Sequence, residues 1–106
     1  MTNAEKKLRA DIKAEQERMA SLRANLVEVS GLPRAAARCR QYLDKHAHIL
    51  KNLTHQLLSL IAEDYGTTVQ GVRSVANISG INPLSDPDDF MVLMEDYTAD
   101  LEEYLG

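Results

Sequence analysis

Within the first thirty residues, Leu8, Ile12, Glu15, Met19, Leu22, Leu26 and Val29 recur in alternating steps of four and three. That spacing holds one narrow stripe on one side of a helix, and residues 4–29 make about seven turns of it. Ala10, Ala14, Ala20, Ala24 and many charges fill the other faces. A helix of this kind cannot bury its stripe alone. The stripe must meet another helix, either the next one in the chain, as a hairpin, or a helix of another subunit, as a coiled coil. Glu15 is the acid within the stripe, and a buried carboxylate needs a polar partner across the seam.

Ser30-Gly31-Leu32-Pro33 closes this first helix. Gly31 suits the left-handed residue that ends many helices, and Pro33 suits the first position of the next. The second helix is expected from Pro33 toward Asn52, with Cys39, Leu43, Leu50 and Leu53 on one side. In an antiparallel hairpin about this turn, residues whose numbers total about 63 lie level, which sets Glu15 near His48 and His46. Asn52 and Thr54 are both able N-caps and leave two courses open. A break there gives helices near 34–51, 55–65 and 69–78, the last two forming a helix-turn-helix. Without a break, one helix of some thirty residues makes a plain hairpin.

Beyond Gly80, the Ile81-Asn82-Pro83-Leu84 segment must be extended, because a residue before proline avoids the helical region. Asp86-Pro87-Asp88-Asp89 then opens the last helix with a cap, a proline at the first position and acids at the positive end of the dipole. Phe90, Leu93, Tyr97, Leu101 and Tyr104 follow at helical steps. The start of that helix, Phe90-Met91-Val92-Leu93-Met94, is apolar on every side, which means either central burial or docking on another chain. Docking is the expectation, with Phe90, Met91, Met94 and Tyr97 as the interface. The expected fold is all-α, a single domain of four to five helices. It comprises a coiled-coil-like arm over 1–32, a helical core with the helix-turn-helix over 33–81, and an acidic amphipathic helix over 82–106.

With 44% hydrophobic and 26% charged residues the chain has a globular composition. It has no tryptophan and one phenylalanine, so Leu, Ile, Val, Ala and Met must fill the core. A lone Cys39 excludes an intrachain disulfide and fits a reducing compartment. The opening MTNAEKKLRADIKAEQERM lacks the apolar core of a signal peptide, and no run is apolar enough to span a membrane. A cytoplasmic protein without membrane contact is expected, and the Asn52-Leu53-Thr54 and Asn77-Ile78-Ser79 triplets are read as chance. The net charge of −4 conceals a sharp division. Residues 1–57 hold eleven Lys/Arg against six Asp/Glu, a net +5, and residues 58–106 hold Arg73 against ten acids, a net −9. Basic and acidic halves can lie against each other or against a second copy. They can also mark a nucleic-acid-facing part and an acidic part that occupies a basic partner.

Ile61-Ala62-Glu63-Asp64-Tyr65-Gly66-Thr67-Thr68-Val69-Gln70-Gly71-Val72-Arg73-Ser74-Val75-Ala76-Asn77 resembles the helix-turn-helix of bacterial repressors. Ala62 stands where that family wants a small residue at the helix crossing, and Gly66 stands at the turn. Val72 and Val75 stand at buried positions of the second helix, with Ile61 and Tyr65 beneath. Steeply crossed helices need a small contact residue, and the turn needs a backbone that glycine adopts cheaply. The resemblance implies that Thr68, Val69, Gln70, Arg73, Ser74 and Asn77 face outward. Thr68, Gln70, Arg73, Ser74 and Asn77 would contact DNA bases or phosphates. Arg34, Arg38, Arg40, Lys45 and Lys51 on the preceding helix would neutralise phosphates. Gly71 inside the second helix weakens it by roughly 1 kcal/mol relative to alanine. IAEDYGTTVQGV followed by Asn77 and Asn82-Pro83 is also similar to the two helices of LysM peptidoglycan-binding domains. That fold needs a strand on each side, where KHAHILKNLTHQ and LSDPDDFMVLMEDY here read as helix.

Cys39, His46, His48 and His55 lack the three- or four-residue spacing of helical metal ligands. Asp96, Asp100 and Glu103 at helical spacing mark a solvated face rather than a pair of catalytic acids. No nucleophile, phosphate-loop or cofactor signature appears, so neither an enzyme nor a bound cofactor or metal is expected. The leading expectation is a small DNA-binding regulator of phage, plasmid or bacterial type, acting as a homo-oligomer. The next is a protein-binding adaptor or inhibitor, whose acidic last helix and apolar patch engage a partner with a basic surface. The third is a helical subunit of a larger assembly.

Overall fold

The structure, a computed structural model, describes residues 2–105, Leu105 by its backbone alone. It is all helical: α1 (Asn3–Glu28), α2 (Pro33–Asp64), α3 (Val69–Ser79) and α4 (Pro87–Leu105), with no strand among the described residues. KHAHILKNLTHQ lies within α2, and LSDPDDFMVLMEDY covers a turn and then α4, so the strands that a LysM domain requires are absent there.

Two compact units make up the chain, Met1–Gln56 and Leu57–Gly106, and their boundary coincides with the change from basic to acidic. It falls inside α2, not at the Gly31 or Gly80 turns where the sequence suggested divisions. Asn52 and Thr54 do not interrupt α2. Each costs an α-helix only a few tenths of a kcal/mol, and no glycine or proline follows Pro33 within the helix to stop its propagation. The unbroken course is the one adopted, and a turn after Asp64 joins the end of α2 to α3.

The first unit is a hairpin of α1 and the first part of α2. Thr2 caps α1, its hydroxyl accepting from the Glu5 backbone N–H at 3.1 Å. Ile12, Met19, Ala36 and Cys39 are buried, as are Glu5 and Glu15. Glu15 Oε2 meets His46 Nδ1 at 2.8 Å, and Cys39 Sγ donates to the Leu22 carbonyl at 3.1 Å. Both pairs total 61, so the hairpin is centred one residue earlier than expected and His46, not the exposed His48, receives Glu15. Gly31 is not left-handed. The Ser30 N–H to Val27 carbonyl and Leu32 N–H to Val29 carbonyl bonds reverse the chain without a positive φ. Glu5 extends the seam one step further than the sequence suggested, its Oε1 accepting from Arg9 Nε at 3.2 Å and Nη2 at 3.1 Å.

The second unit buries Leu57, Leu58, Ile61 and Ala62 of α2, Val72 of α3, and Phe90 and Met94 of α4, and packs α3 against α4. Its turn is a Schellman motif: Thr67 N–H bonds the Ala62 carbonyl at 2.8 Å, Gly66 N–H bonds the Glu63 carbonyl at 3.2 Å, and Gly66 has φ 65°. Thr68 caps α3 by accepting from Gly71 N–H at 3.1 Å, and Gly80 ends it with φ 72°. Asn82 Oδ1 accepts from Leu84 N–H at 2.8 Å, which shapes the link to Pro87 at the first position of α4.

Gly71 has a packing reason. A Cβ there would stand 2.5 Å from Thr67 Oγ1 and 3.5 Å from the Tyr97 hydroxyl. The helix propensity that alanine would add, about 1 kcal/mol, is thus opposed by displacement of Thr67. Gly71→Ala alone is expected to leave stability unchanged or lower it. In a Thr67→Ala background the same change should stabilise by up to about 1 kcal/mol in urea titrations. Equal effects in both backgrounds would refute this account.

Candidate functional site

Three exposed faces carry the residues that the sequence singled out. On α3, Gln70, Arg73 and Asn77 are exposed along one side. Their spacing of three and four keeps them on one face, and Ile78 beside them is 88% exposed. Thr68 is exposed, but its hydroxyl oxygen already serves the cap, and half-buried Ser74 donates to the Gln70 carbonyl at 2.9 Å. Val69 is half-buried. Of the residues grouped as a reading surface, Gln70, Arg73 and Asn77 keep side chains clear of these local bonds.

On α4 the expected docking patch separates into two sides. Phe90 and Met94 are 2% and 0% exposed and belong to the unit's own core. They cannot form an interface without unfolding the unit, and Tyr97 is half-buried over Gly71. The stretch looked apolar on every side because a helix of 3.6 residues per turn sets consecutive residues about 100° apart, so five in a row circle the axis, and only one face meets the core.

The opposite side of α4 holds what the sequence reading missed. Val92 is 57% exposed, and Ala99, two turns on, is exposed as well. Glu95 and Glu102 flank them on one side, Asp96 and Glu103 on the other, and Asp88 precedes Val92 by one turn; all five are exposed. Met91 lies at the margin, 36% exposed. An apolar ridge between two carboxylate rows, each repeating at seven residues, was readable in the sequence. The run of Phe90 to Met94 hid it by suggesting one patch.

The third face is on α2, in the first unit. Arg34, Arg38, Arg40, Lys45 and Lys51 are all exposed, and the same stretch, Pro33–Gln56, holds one acid, Asp44. Tyr42, four residues after Arg38 and three before Lys45, is 46% exposed. The side chains of Arg34, Arg38 and Lys45 hold no ion pair among the described residues.

Cys39 and His46 lie in the hairpin seam, whereas His48 and His55 are exposed. No group of three or more metal-ligating side chains comes together among the described residues. No helix among them is long and apolar enough to cross a membrane. A shallow depression beside the hairpin turn is lined by Leu32, Pro33, Arg34 and Ala35. What the three faces offer is recognition chemistry: amides and a guanidinium on α3, an acid-flanked ridge on α4, and a cationic row with a phenol on α2. No protein-family model, curated protein or solved structure matches the chain.

Proposed function

We propose that this chain is a non-enzymatic binding protein, an adaptor or inhibitor, whose second unit docks a basic helical protein surface on the outer face of α4. The half-exposed Val92 between carboxylate rows carries this reading. An apolar centre gives a contact that excludes water, and a charged rim selects cationic partners and steers their approach. Lysine and arginine suit such a face twice over, because their aliphatic stems cover apolar surface while their heads reach carboxylates.

A synthetic basic amphipathic helix with an apolar seam, followed by fluorescence anisotropy, tests this. Val92→Asp is the informative variant, since it removes apolar surface while adding negative charge. Docking on the ridge predicts binding weaker by about tenfold or more, a loss of some 1.4 kcal/mol. Plain polyelectrolyte attraction predicts the reverse, and equal or tighter binding by Val92→Asp overturns the reading.

The exposed polar face of α3 favours a second reading, DNA recognition by Gln70, Arg73 and Asn77. Charge weighs against it. Sequence-independent affinity for DNA comes from neutralising several phosphates, each contributing about −0.9 to the salt slope. The second unit holds one cation, Arg73, and ten carboxylates. The cations assigned to phosphate contacts, Arg34, Arg38, Arg40, Lys45 and Lys51, belong to the first unit. Retention on duplex DNA at low salt that Arg73→Ala and Gln70→Ala reduce would put the DNA reading first; absence of retention removes it.

A further inference from the structure

We propose that the partner taken by the outer face of α4 is α2 of a second copy of this chain. The inference rests on the docking role given to α4 above and names its occupant. Charge supplies the first support. Residues 33–56 of α2 carry five cations and one acid, whereas α4 carries seven acids and no cation. Spacing supplies the second. Arg38 and Lys45 are seven residues apart, as are Glu95 and Glu102, and Asp96 and Glu103. Seven residues rise about 10.5 Å along an α-helix. Two cations of one helix therefore meet two carboxylates of the other in the same register. Arg34, one turn before Arg38, extends the row toward Asp88 or Glu103 according to helix direction.

Tyr42 supplies the third. It stands exposed between Arg38 and Lys45, a rigid amphipathic ring of the kind that anchors interfaces. On α4 the corresponding place between the carboxylate rows holds Val92 and Ala99. Ala99 leaves room for a ring, and Val92 gives it an apolar wall. A cation–phenol–cation row thus faces an acid–aliphatic–acid ridge, and the cationic side chains have no competing ion pairs among the described residues.

Because its rim is exposed, the contact weakens as the Debye length falls from about 10 Å at 0.1 M salt to about 3 Å at 1 M. Sedimentation velocity on the full chain at these two salt concentrations provides the test, with circular dichroism to verify that each variant stays helical. The expected result is a mass above one chain that grows with protein concentration at low salt and falls at high salt. Arg38→Glu with Lys45→Glu, or Glu95→Lys with Glu102→Lys, should each give single chains, and so should Tyr42→Ala at moderate concentration. Combining all four charge reversals in one chain should restore association, as should mixing the two double variants. A single-chain mass at low salt, association indifferent to these reversals, or failure of the four-fold variant to associate overturns the proposal. If the chain stays single yet the basic peptide still binds in a Val92-dependent way, the self-partner is wrong and the docking role stands. If the peptide also fails to bind, both fall.

Discussion

Replacing Phe90 with alanine is expected to melt the second unit while the first stays largely helical. Phe90, Leu57, Met94 and Val72 are the largest fully buried side chains among the described residues, and all four lie in the second unit. Removing a buried phenyl ring costs about 3–5 kcal/mol, from lost transfer free energy and the cavity left behind. A unit of about fifty residues has a total stability of only some 2.5–7.5 kcal/mol at typical values per residue. One substitution therefore consumes most of it. The first unit has its own seam of Ile12, Met19, Ala36 and Cys39 and its own cross-hairpin bonds. Far-UV circular dichroism should show a partial loss of helix at temperatures where the parent is folded, followed by a separate later transition. Val92→Ala, two residues away but on the outer face, should move the melt by no more than about 0.5 kcal/mol. If Phe90→Ala melts like Val92→Ala, the assignment of the two faces of α4 is wrong.

That contrast also marks how far the sequence could be read. Periodicity located α1 within one residue at each end, and Pro33 and Pro87 each stand at the first position of the helix they were expected to open. Steric rules were equally direct at Gly66, whose φ of 65° is required by the turn. The reading became insecure where the signal was weak or the cause lay elsewhere in the chain. Asn52 and Thr54 prefer caps by about 1 kcal/mol or less, too little to break a helix with nothing else against it. Gly31 had two ways to end a helix, and the one adopted needs no glycine. At Gly71 propensity alone suggests a flaw, because Thr67 and Tyr97, which press on it, are identified only by the fold. At the start of α4, five apolar residues in a row concealed which of them faced the core. The faces of α3 and α4 were legible as chemistry, amides on one and carboxylates on the other. What each meets depends on surfaces outside a single chain.

The seam acid gives the second large effect. Glu15 is 9% exposed; its Oε2 lies 2.8 Å from His46 Nδ1 and its Oε1 accepts from Arg18 Nη1 at 3.2 Å. A carboxylate can only accept, so Nδ1 carries the hydrogen of that pair. His46→Leu removes the donor and leaves Oε2 facing apolar side chains, which should cost about 1–3 kcal/mol in the thermal or urea melt of the first unit. His48→Leu, on the exposed side of the same helix, should cost no more than about 0.5 kcal/mol. Replacing both partners is a different experiment. Glu15→Leu with His46→Leu makes the stripe from Leu8 to Leu26 continuously apolar, and exchanging a buried pair for aliphatic residues is commonly neutral or stabilising by about 1–4 kcal/mol. The double variant is thus expected to recover the loss, with a coupling energy of about 1–3 kcal/mol between the sites. It should also lose definition. Glu15 and His46 are the polar landmark that opposes a hairpin slipped along its seam, and without them α1 has an uninterrupted heptad stripe that pairs as readily with another α1. Sedimentation of the double variant should show association that persists at high salt, unlike the charge-dependent contact proposed between α4 and α2. Should His46→Leu prove as mild as His48→Leu, the pair does not hold the hairpin, and the register must rest on the apolar stripe alone.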